Sequence, residues 1–201
     1  MDIYKYNISN ENALTAKLFY DSHVLIDNIE EFVTNYISIK TSSNNYISKS
    51  AVIHPSSILG DHIFIDDEVQ IGPHCYVKSN SIILKGCRLG FSVEIDRCLL
   101  FDNVKIAHNC CIGRCIIGKK SNLAFNFVIA TKNLIGNTIR CSFLDKEYVS
   151  TRNHHGAVIG ENLISGVNVS IMPGTTIENN VTIKNNVILT GHIGSLSMIH
   201  K

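Results

Sequence analysis

Between residues 53 and 107 a large aliphatic or aromatic side chain recurs at every sixth position, with polar residues between. The members of this series are Ile53, Leu59, Ile65, Ile71, Val77, Ile83, Leu89, Ile95 and Phe101, and Ala107 ends it. A period of six matches neither the helical repeat of about 3.6 residues nor the strand repeat of 2. Repeats of this length are typical of a solenoid whose coils are built from short strands. The pattern therefore predicts an all-β protein with a parallel β-helix of triangular coils.

A second set of small or apolar residues lies four positions after each member of the first series. These residues are Ser57, Ile63, Val69, Cys75, Ser81, Cys87, Val93 and Leu99. The main series returns near the C-terminus at Ile159, Ile171, Ile177, Ile183 and Leu189, with Ser165 as its polar member. Each six-residue unit is therefore expected to direct two side chains inward. A parallel α/β protein is disfavoured because no amphipathic helix of about 10–15 residues separates the units.

The first 50 residues differ in kind and are expected to form an N-terminal helical cap and linker, followed by a β-helix domain at 51–201. From Asp21 to Ile39 the apolar residues fall near helical spacing, which predicts a helix with Asp21 or Ser22 as its N-cap. The end of a solenoid is an unpaired sheet edge that invites aggregation. The helical segment is therefore predicted to cover the first coil.

Two irregularities mark the middle of the chain as the place to look for chemistry. After Ala107 the phase slips, because Ile112 and Ile117 are only five positions apart. Residues 131–157 then leave the repeat altogether in an excursion loop of roughly 25 residues, well above the usual loop length of about 4–6. Long ordered loops are more often functional than incidental.

Composition excludes several classes of protein. The chain has 201 residues, a formal net charge of +1 and 17% charged residues, which gives no reason to expect a nucleic-acid partner. Apolar runs are far shorter than the roughly 18 residues of a membrane span, and no signal peptide is expected. The seven cysteines form no C-x-x-C pair. They are expected to be reduced thiols of a cytoplasmic protein without a bound metal.

Several short strings resemble a known family. They are Gly72-Pro73-His74, Val93-Glu94-Ile95, Lys105-Ile106-Ala107-His108, Ile112-Gly113-Arg114-Cys115-Ile116-Ile117-Gly118, Ser121-Asn122-Leu123 and Gly166-Val167-Asn168-Val169-Ser170-Ile171-Met172-Pro173-Gly174. Over about residues 20 to 190 the chain resembles the C-terminal acetyltransferase domain of bifunctional sugar-1-phosphate nucleotidylyltransferase/acetyltransferases, most of all the archaeal type. The resemblance implies a left-handed parallel β-helix, a homotrimer with active sites between subunits, and acetyl transfer from acetyl-CoA to an amino sugar phosphate. No counterpart of the nucleotidylyltransferase half is expected before Ser50.

The resemblance also implies site residues. His108 matches the family's catalytic base, and a neutral imidazole suits an amine that loses a proton as it attacks a thioester. The alternative is a histidine that only makes a hydrogen bond at a corner of a coil. Among the positions that bind substrate in that family, Asn122 matches an asparagine. Lys78 stands where bacterial members have an arginine, and Asp96, with Arg97 beside it, stands where they have a lysine. Cys111 stands where the family has a tyrosine. Arg140 falls near a basic position of the archaeal type, and Gly166 and Lys184 fall where the family binds acetyl-CoA.

Two functions therefore stand. One is an acetyl-CoA-dependent acyltransferase on an amino sugar or its phosphate, and the other is a non-catalytic trimeric β-helix that serves a separate sugar nucleotidylyltransferase. If the side chain of Phe125 or Phe127 fills the cavity beside His108, the non-catalytic β-helix is favoured. A β-helical zinc hydrolyase is disfavoured because Gly113 stands where that family has a second histidine, five residues after the first.

Overall fold

The computed structural model of the chain describes Lys5, residues 15–144 and residues 146–200. Within them, two helices precede a long series of short strands. The helices are α1 (Thr15–Asp27) and α2 (Ile29–Ser38). The strands are β1 (Tyr46–Ile47), β2 (Val52–Ile53), β3 (Ile58–Leu59), β4 (Ile63–Ile65), β5 (Gln70–Ile71), β6 (Tyr76–Val77), β7 (Ser81–Ile83), β8 (Arg88–Leu89), β9 (Glu94–Asp96), β10 (Leu99–Leu100), β11 (Lys105–Ile106), β12 (Cys111–Gly113), β13 (Ile116–Ile117), β14 (Asn122–Leu123), β15 (Val128–Ile129), β16 (Arg140–Phe143), β17 (Lys146–Val149), β18 (Ala157–Ile159), β19 (Ile164–Ser165), β20 (Ser170–Ile171), β21 (Thr175–Ile177), β22 (Thr182–Ile183), β23 (Ile188–Leu189), β24 (His192–Ile193) and β25 (Met198–Ile199).

Three parallel sheets form the faces of a triangular solenoid, so the predicted β-helix is confirmed. Sheet A has the order β1-β4-β7-β10-β13-β18-β21-β24, and sheet B has the order β2-β5-β8-β11-β14-β19-β22-β25. Sheet C runs from β3 through β6, β9, β12, β15 and β20 to β23. Consecutive strands of the solenoid fall in different sheets because each coil visits all three faces in turn, whereas β16 and β17 pair with each other as a separate antiparallel hairpin. The first strand, β1, already pairs with β4 in sheet A and lies within the segment predicted as a linker.

The interior is a stack of aliphatic side chains with a phase that differs from the predicted one. Leu100 and Ile106 lie in the interior core, whereas Phe101 belongs to a separate apolar cluster outside sheet A. Ile65 and Ile83 are Cα partners 18 residues apart, but Ile83 and Leu100 are partners only 17 apart. One coil is therefore a residue shorter than predicted, and the prediction that Phe101, Leu99 and Ala107 keep the inward phase was wrong. The later slip between Ile112 and Ile117 is present, with both residues in the core.

Five of the seven cysteines lie inside the solenoid, where they pack as small apolar residues. These are Cys75, Cys87, Cys98, Cys110 and Cys115. All seven are free thiols. Cys98 and Cys115 stack in adjacent coils with a sulfur–sulfur distance of 3.4 Å.

The two helices and the β16–β17 hairpin form a second apolar layer on the outer face of sheet A. Fully buried aromatic residues of this layer include Phe19 from α1, Phe101 from the sheet and Phe143 from the hairpin. The single helix predicted over residues 21–39 begins earlier and is divided at Asn28. The helices contact β4, β17 and β18, along the side of the solenoid. Tyr46 of β1, in the first coil, also packs against this layer. That the helices cover the end of the first coil stays a prediction.

The corners of the coils repeatedly use a left-handed backbone conformation, which asparagine tolerates better than most residues. At the corner between sheets B and C, Asn126, Asn168 and Asn186 have φ values of 59°, 57° and 59°. Their side-chain amides form a ladder, with 3.0 Å from Asn126 to Asn168 and 3.0 Å from Asn168 to Asn186. Of the described helices, none is long and apolar enough to cross a membrane.

Candidate functional site

A groove of about 560 Å³ runs along the outer face of sheet B and contains the most conspicuous candidate, His108. His108 follows β11 at the corner between sheets B and C, and Asn122 extends outward from the next strand, β14. Both residues line the groove. The structure thus places these two residues at one surface.

The imidazole of His108 is held at its corner by the backbone of the preceding coil. The N–H of Phe91 donates a hydrogen bond of 2.8 Å to Nδ1 of His108. Nε2 makes no hydrogen bond with any residue that the structure describes. In a neutral imidazole one nitrogen accepts and the other carries the hydrogen. The Phe91 bond therefore favours the tautomer with the hydrogen on Nε2, so that the ring offers a donor there.

Other corners of the solenoid use shorter side chains for the same bond. The N–H of Glu161 donates to Oδ1 of Asn179 at 2.7 Å, and the N–H of Val167 donates to Oδ1 of Asn185 at 3.0 Å. In each case, as with His108, the acceptor lies about one coil further along the chain. His108 therefore has a structural role at its corner in addition to any chemical one.

Two aromatic residues flank His108 in the stack of corners. The N–H of Asn109 donates to the carbonyl of Phe91 at 2.9 Å, and the N–H of Asn126 donates to the carbonyl of His108 at 3.0 Å. These bonds set Phe91 in the coil below and Phe125 in the coil above, and both side chains are about half exposed. Phe127 lies inside the solenoid and fills no surface cavity.

Lys78 and Cys111 lie on the outer face of sheet C rather than in the groove. Lys78 forms an ion pair of 2.5 Å with Glu94, and this hydrogen bond raises the pKa of the ammonium group. Cys111 is the Cα partner of Glu94. The pKa of its thiol is raised, first because the sulfur is partly buried and second because the negative charge of Glu94 lies nearby. Cys111 lines a depression of about 300 Å³ beside the same corner that holds His108.

Asp96 and Arg97 belong to an ion-pair cluster that attaches α2 to the solenoid. Nε of Arg97 lies 3.0 Å from Oε1 of Glu30, and a guanidinium nitrogen of Arg114 lies 2.9 Å from the same oxygen. Arg97 also contacts Asp96 at 2.6 Å. Burial disfavours the charged form of Glu30, but its hydrogen bonds and the two arginines prevail and lower the pKa. The structure thus gives these two predicted substrate ligands partners within the protein.

The remaining predicted residues are separate from the groove. Arg140 lies on the β16–β17 hairpin, where it pairs with Glu147 at 2.6 Å. Gly166 and Lys184 lie at the corner between sheets B and C, two and three coils beyond His108 along the axis. A Cβ atom on Gly166 would stand 2.6 Å from the backbone nitrogen of Asn185, so this position requires glycine.

Two basic residues in the groove were not singled out from the sequence. Arg88 and Lys105 are Cα partners on adjacent strands of sheet B, and both line the groove beside Asn122. Neither forms an ion pair with a described residue. Like charges directly opposite each other on a sheet are unfavourable unless an anion lies between them. Their position in the repeat could have identified them. Each immediately precedes an inward residue, so its own side chain extends outward from the sheet.

Comparisons with known proteins agree with the predicted resemblance. Residues 42–143 match the family model described as the EIF2B subunit epsilon LbH domain. The chain is 32% identical over 184 residues to bifunctional protein GlmU of Methanococcus maripaludis (strain C5), which covers 90% of this chain and 44% of that protein. It is 26% identical over 178 residues to a bifunctional sugar-1-phosphate nucleotidylyltransferase/acetyltransferase of Sulfurisphaera tokodaii, with coverages of 88% and 43%. The chain thus spans less than half the length of these relatives.

Among solved structures, the chain is similar to a mutant of AntD, an N-acyltransferase from Bacillus cereus. The TM-score is 0.50 and the identity 13%, over 80% of this chain and 81% of that one. At this identity the similarity shows the fold alone. The predicted resemblance to the acetyltransferase part of the bifunctional enzymes, including archaeal ones, is confirmed by the sequence relatives.

Proposed function

Because the chain belongs to the family of the EIF2B subunit epsilon LbH domain, and has bifunctional acetyltransferases among its relatives, we propose that it is an acyltransferase. The acyl donor is acetyl-CoA, and the acceptor is the amino group of an amino sugar that carries a phosphate or a nucleotide. In the reaction, the amine nitrogen forms a bond to the thioester carbonyl carbon. The carbon–sulfur bond breaks, and the proton that the amine gives up ends on the departing sulfur, so coenzyme A leaves as the free thiol.

The observation that carries this proposal is the exposed side of the His108 ring in a groove that also contains two cations. Arg88 and Lys105, which have no ion-pair partner among the described residues, supply the positive charge that a phosphate or diphosphate requires. His108 is the residue positioned to act on the reacting groups. The AntD structure supports the acceptor class, because it is a complex with dTDP-4-amino-4,6-dideoxyglucose and coenzyme A.

The role of His108 as a general base places a condition on the ring. A base that acts through Nε2 needs its lone pair there, and so needs the hydrogen on Nδ1. The bond from the Phe91 N–H to Nδ1 opposes this state. Base catalysis therefore requires the ring to leave Phe91 when substrate binds, whereas the ring as placed donates from Nε2, for example to the thioester oxygen.

A homotrimer is the assembly proposed for this function. The outer face of sheet A is covered by the chain's own helices and hairpin. By contrast, outward apolar residues of sheets B and C are exposed: Val52, Ile58, Ile164, Ile188 and Met198. Packing these faces against other copies would bury them, and would bring Lys78 or Cys111 of one copy toward the groove of another. Gly166 and Lys184, further along the same corner, then suit the acetyl-CoA arm.

The test measures thiol release from acetyl-CoA with amino sugars, their 1-phosphates and nucleotide-linked amino sugars as acceptors. The informative variant is His108→Asn, because asparagine retains an oxygen that accepts the Phe91 N–H, as Asn179 and Asn185 do elsewhere. We expect this variant to fold normally and to lose about 10²–10⁴ in rate. Full activity in His108→Asn would remove the imidazole from the mechanism.

A second function is a non-catalytic trimeric β-helix that assembles with a separate sugar nucleotidylyltransferase. Two observations favour it, namely the corner hydrogen bond of His108 and the internal ion pairs of Lys78, Arg97 and Arg140. Absence of turnover with every acceptor, together with absence of acetyl-CoA binding in calorimetry, would select this function over catalysis.

A further inference from the structure

A compact group of buried histidine, cysteine and aspartate side chains lies in the layer outside sheet A, away from the groove on sheet B. His23 comes from α1, Cys141 from β16, and His155 from the segment just before β18. All three are 0% exposed. Their ligand-type atoms all lie within 4.8 Å of one another. The group therefore joins three segments at the point where α1 and the hairpin pack on sheet A.

The two imidazoles are oriented by partners on their outer sides. Nδ1 of His155 lies 2.8 Å from Oδ1 of Asp27, and Nε2 of His23 lies 2.8 Å from Oγ1 of Thr176. The inner nitrogens, Nε2 of His155 and Nδ1 of His23, face each other at 2.8 Å. A histidine that binds a metal almost always donates its other N–H to a carboxylate, a carbonyl or another oxygen. Both histidines already have such an oxygen in place.

Asp27 is itself fixed by several donors. The hydroxyl groups of Tyr148 and Ser150 and the N–H of Thr151 each lie 2.7 Å from its carboxylate oxygens. A carboxylate held this firmly orients His155 and is not free to rotate away. The outer partners of the group are thus rigid, as those of metal-binding histidines are.

The thiol of Cys141 is the second, independent indication of a ligand. Its sulfur makes no hydrogen bond with any described residue, although it is completely buried. The sulfurs of Cys75, Cys87, Cys98 and Cys110, by comparison, all donate to backbone carbonyls. Cys141 instead faces two imidazole nitrogens across a short gap. A thiol in this position is the natural partner of an ion that prefers sulfur and nitrogen.

We propose that Nδ1 of His23, Sγ of Cys141 and Nε2 of His155 bind one zinc-type divalent cation. On binding, the thiol proton is released to solvent, and the hydrogen on Nδ1 of His23 is exchanged for one on Nε2, which donates to Thr176. The two positive charges of the cation are balanced by the Cys141 thiolate and the Asp27 carboxylate, so no net charge is buried. The remaining position of a tetrahedral ion belongs to a water molecule or a neighbouring oxygen.

The ion would act as a cross-link rather than as a catalyst. It joins residues that are 132 positions apart in the chain and so holds α1 and the hairpin on the solenoid. No metal was expected from the sequence, because the seven cysteines form no C-x-x-C pair. This proposal is independent of the acyltransferase function.

The experiment uses the full chain and two probes, zinc and cobalt(II). We expect about one zinc per chain by elemental analysis after purification, and a thiolate-to-cobalt charge-transfer band after exchange of zinc for cobalt. Zinc at 100 times its Kd should stabilise the protein by about 2.7 kcal/mol, visible as a rise in Tm. Cys141→Ala and His155→Gln should abolish the cobalt band and the rise in Tm.

Matched controls distinguish this site from adventitious binding. Cys111→Ser removes an exposed thiol, and His154→Gln removes the exposed neighbour of His155. Both should retain the metal content, the cobalt band and the rise in Tm. Cys141→Ala leaves no buried charge and keeps the variant set informative if His155→Gln fails to fold. A wild-type protein without stoichiometric metal, cobalt band or stabilisation would overturn the proposal and leave a hydrogen-bonded cluster.

Discussion

The backbone N–H of Phe91 donates a 2.8 Å hydrogen bond to Nδ1 of His108, one coil further along the chain. This bond makes the imidazole part of the coil corner and also determines which ring nitrogen carries the hydrogen. A residue implied to be a base by its motif is thereby given a structural function as well. Measurements on His108 must separate the two functions.

The first prediction concerns the stability of the coil corner that contains His108. His108→Ala should lower the free energy of unfolding by about 0.5–1.5 kcal/mol, because the Phe91 N–H loses its acceptor. His108→Asn should recover most of this loss, since asparagine makes the same bond at Asn179 and Asn185. Urea denaturation followed by circular dichroism measures both. An asparagine variant as unstable as the alanine variant would show that the hydrogen bond is not what holds this corner.

Phosphate binding in the groove is the second prediction. Arg88→Ala and Lys105→Ala should each weaken the binding of a phosphorylated ligand about tenfold or more, because each removes a charge-assisted hydrogen bond worth about 1.5–3 kcal/mol. Neither should reduce stability, since each also relieves a like-charge neighbour. Calorimetric titration with acetyl-CoA and with a nucleotide-linked amino sugar shows which ligand the pair contacts.

Lys40→Ala is the control for that pair, because Lys40 is an exposed lysine at the end of α2, away from the groove. Its binding constants should match those of the wild type. Unchanged affinity for both ligands in the Arg88 and Lys105 variants, singly and together, would refute a phosphate site on sheet B.

The attachment of α2 is the third prediction. Glu30→Ala should destabilise the protein by about 1–3 kcal/mol at pH 7, because Arg97 and Arg114 lose their shared partner. The matched control is Glu31→Ala, which removes the exposed neighbouring carboxylate and should be within about 0.5 kcal/mol of the wild type.

The same carboxylate gives a pH dependence with a definite sign. The pKa of Glu30 is lowered in the folded protein. Its contribution to stability is therefore complete above the ordinary carboxyl pKa of about 4.3, and is lost as the pH falls through the lower folded value. The difference in unfolding free energy between wild type and Glu30→Ala should shrink in this acid range. A difference that stays constant from pH 7 to pH 3 would contradict the assigned pairing.

The return of the excursion loop to the solenoid is the fourth prediction. A Cβ atom on Gly156 would collide with the carbonyl oxygen of Gly113 and stand 2.5 Å from that of Arg114. Both obstacles are backbone atoms, so Gly156→Ala should cost about 2 kcal/mol or more. Gly194→Ala is the control, because nothing lies within 4 Å of the added atom. Equal Tm values for the two variants would show that the loop can return by another path.

The phase of the coils shows how far sequence periodicity can be followed. Leu99, Leu100 and Phe101 are three consecutive apolar residues, so a period of six can continue through more than one of them. The structure places Leu100 inside, and Leu99 and Phe101 outside against the helical layer. Strand alternation allows only this division or its reverse. The choice depends on the helices, which need apolar partners on sheet A and lie about 70 residues away in sequence.

For the candidate site too, short motifs identified some residues, and contacts with distant parts of the chain decided the state of others. His108 and Asn122 were found from their strings and do share a groove. Arg97 and Arg140 carry the right charge for a phosphate, but Glu30 and Glu147 neutralise them. A motif reports which residue is present, and cannot report which acid the fold brings beside it.

The sequence by itself determined the solenoid, because a six-residue repeat of inward aliphatic side chains can be buried only by coils that stack in register. It also determined the corner that carries His108 and the departure of the chain at residues 131–157. Only the tertiary structure decided where the coil shortens, which nitrogen of His108 accepts the Phe91 bond, and that His23, Cys141 and His155 meet. These features depend on contacts between residues far apart in the chain, and no local pattern of the sequence specifies those contacts.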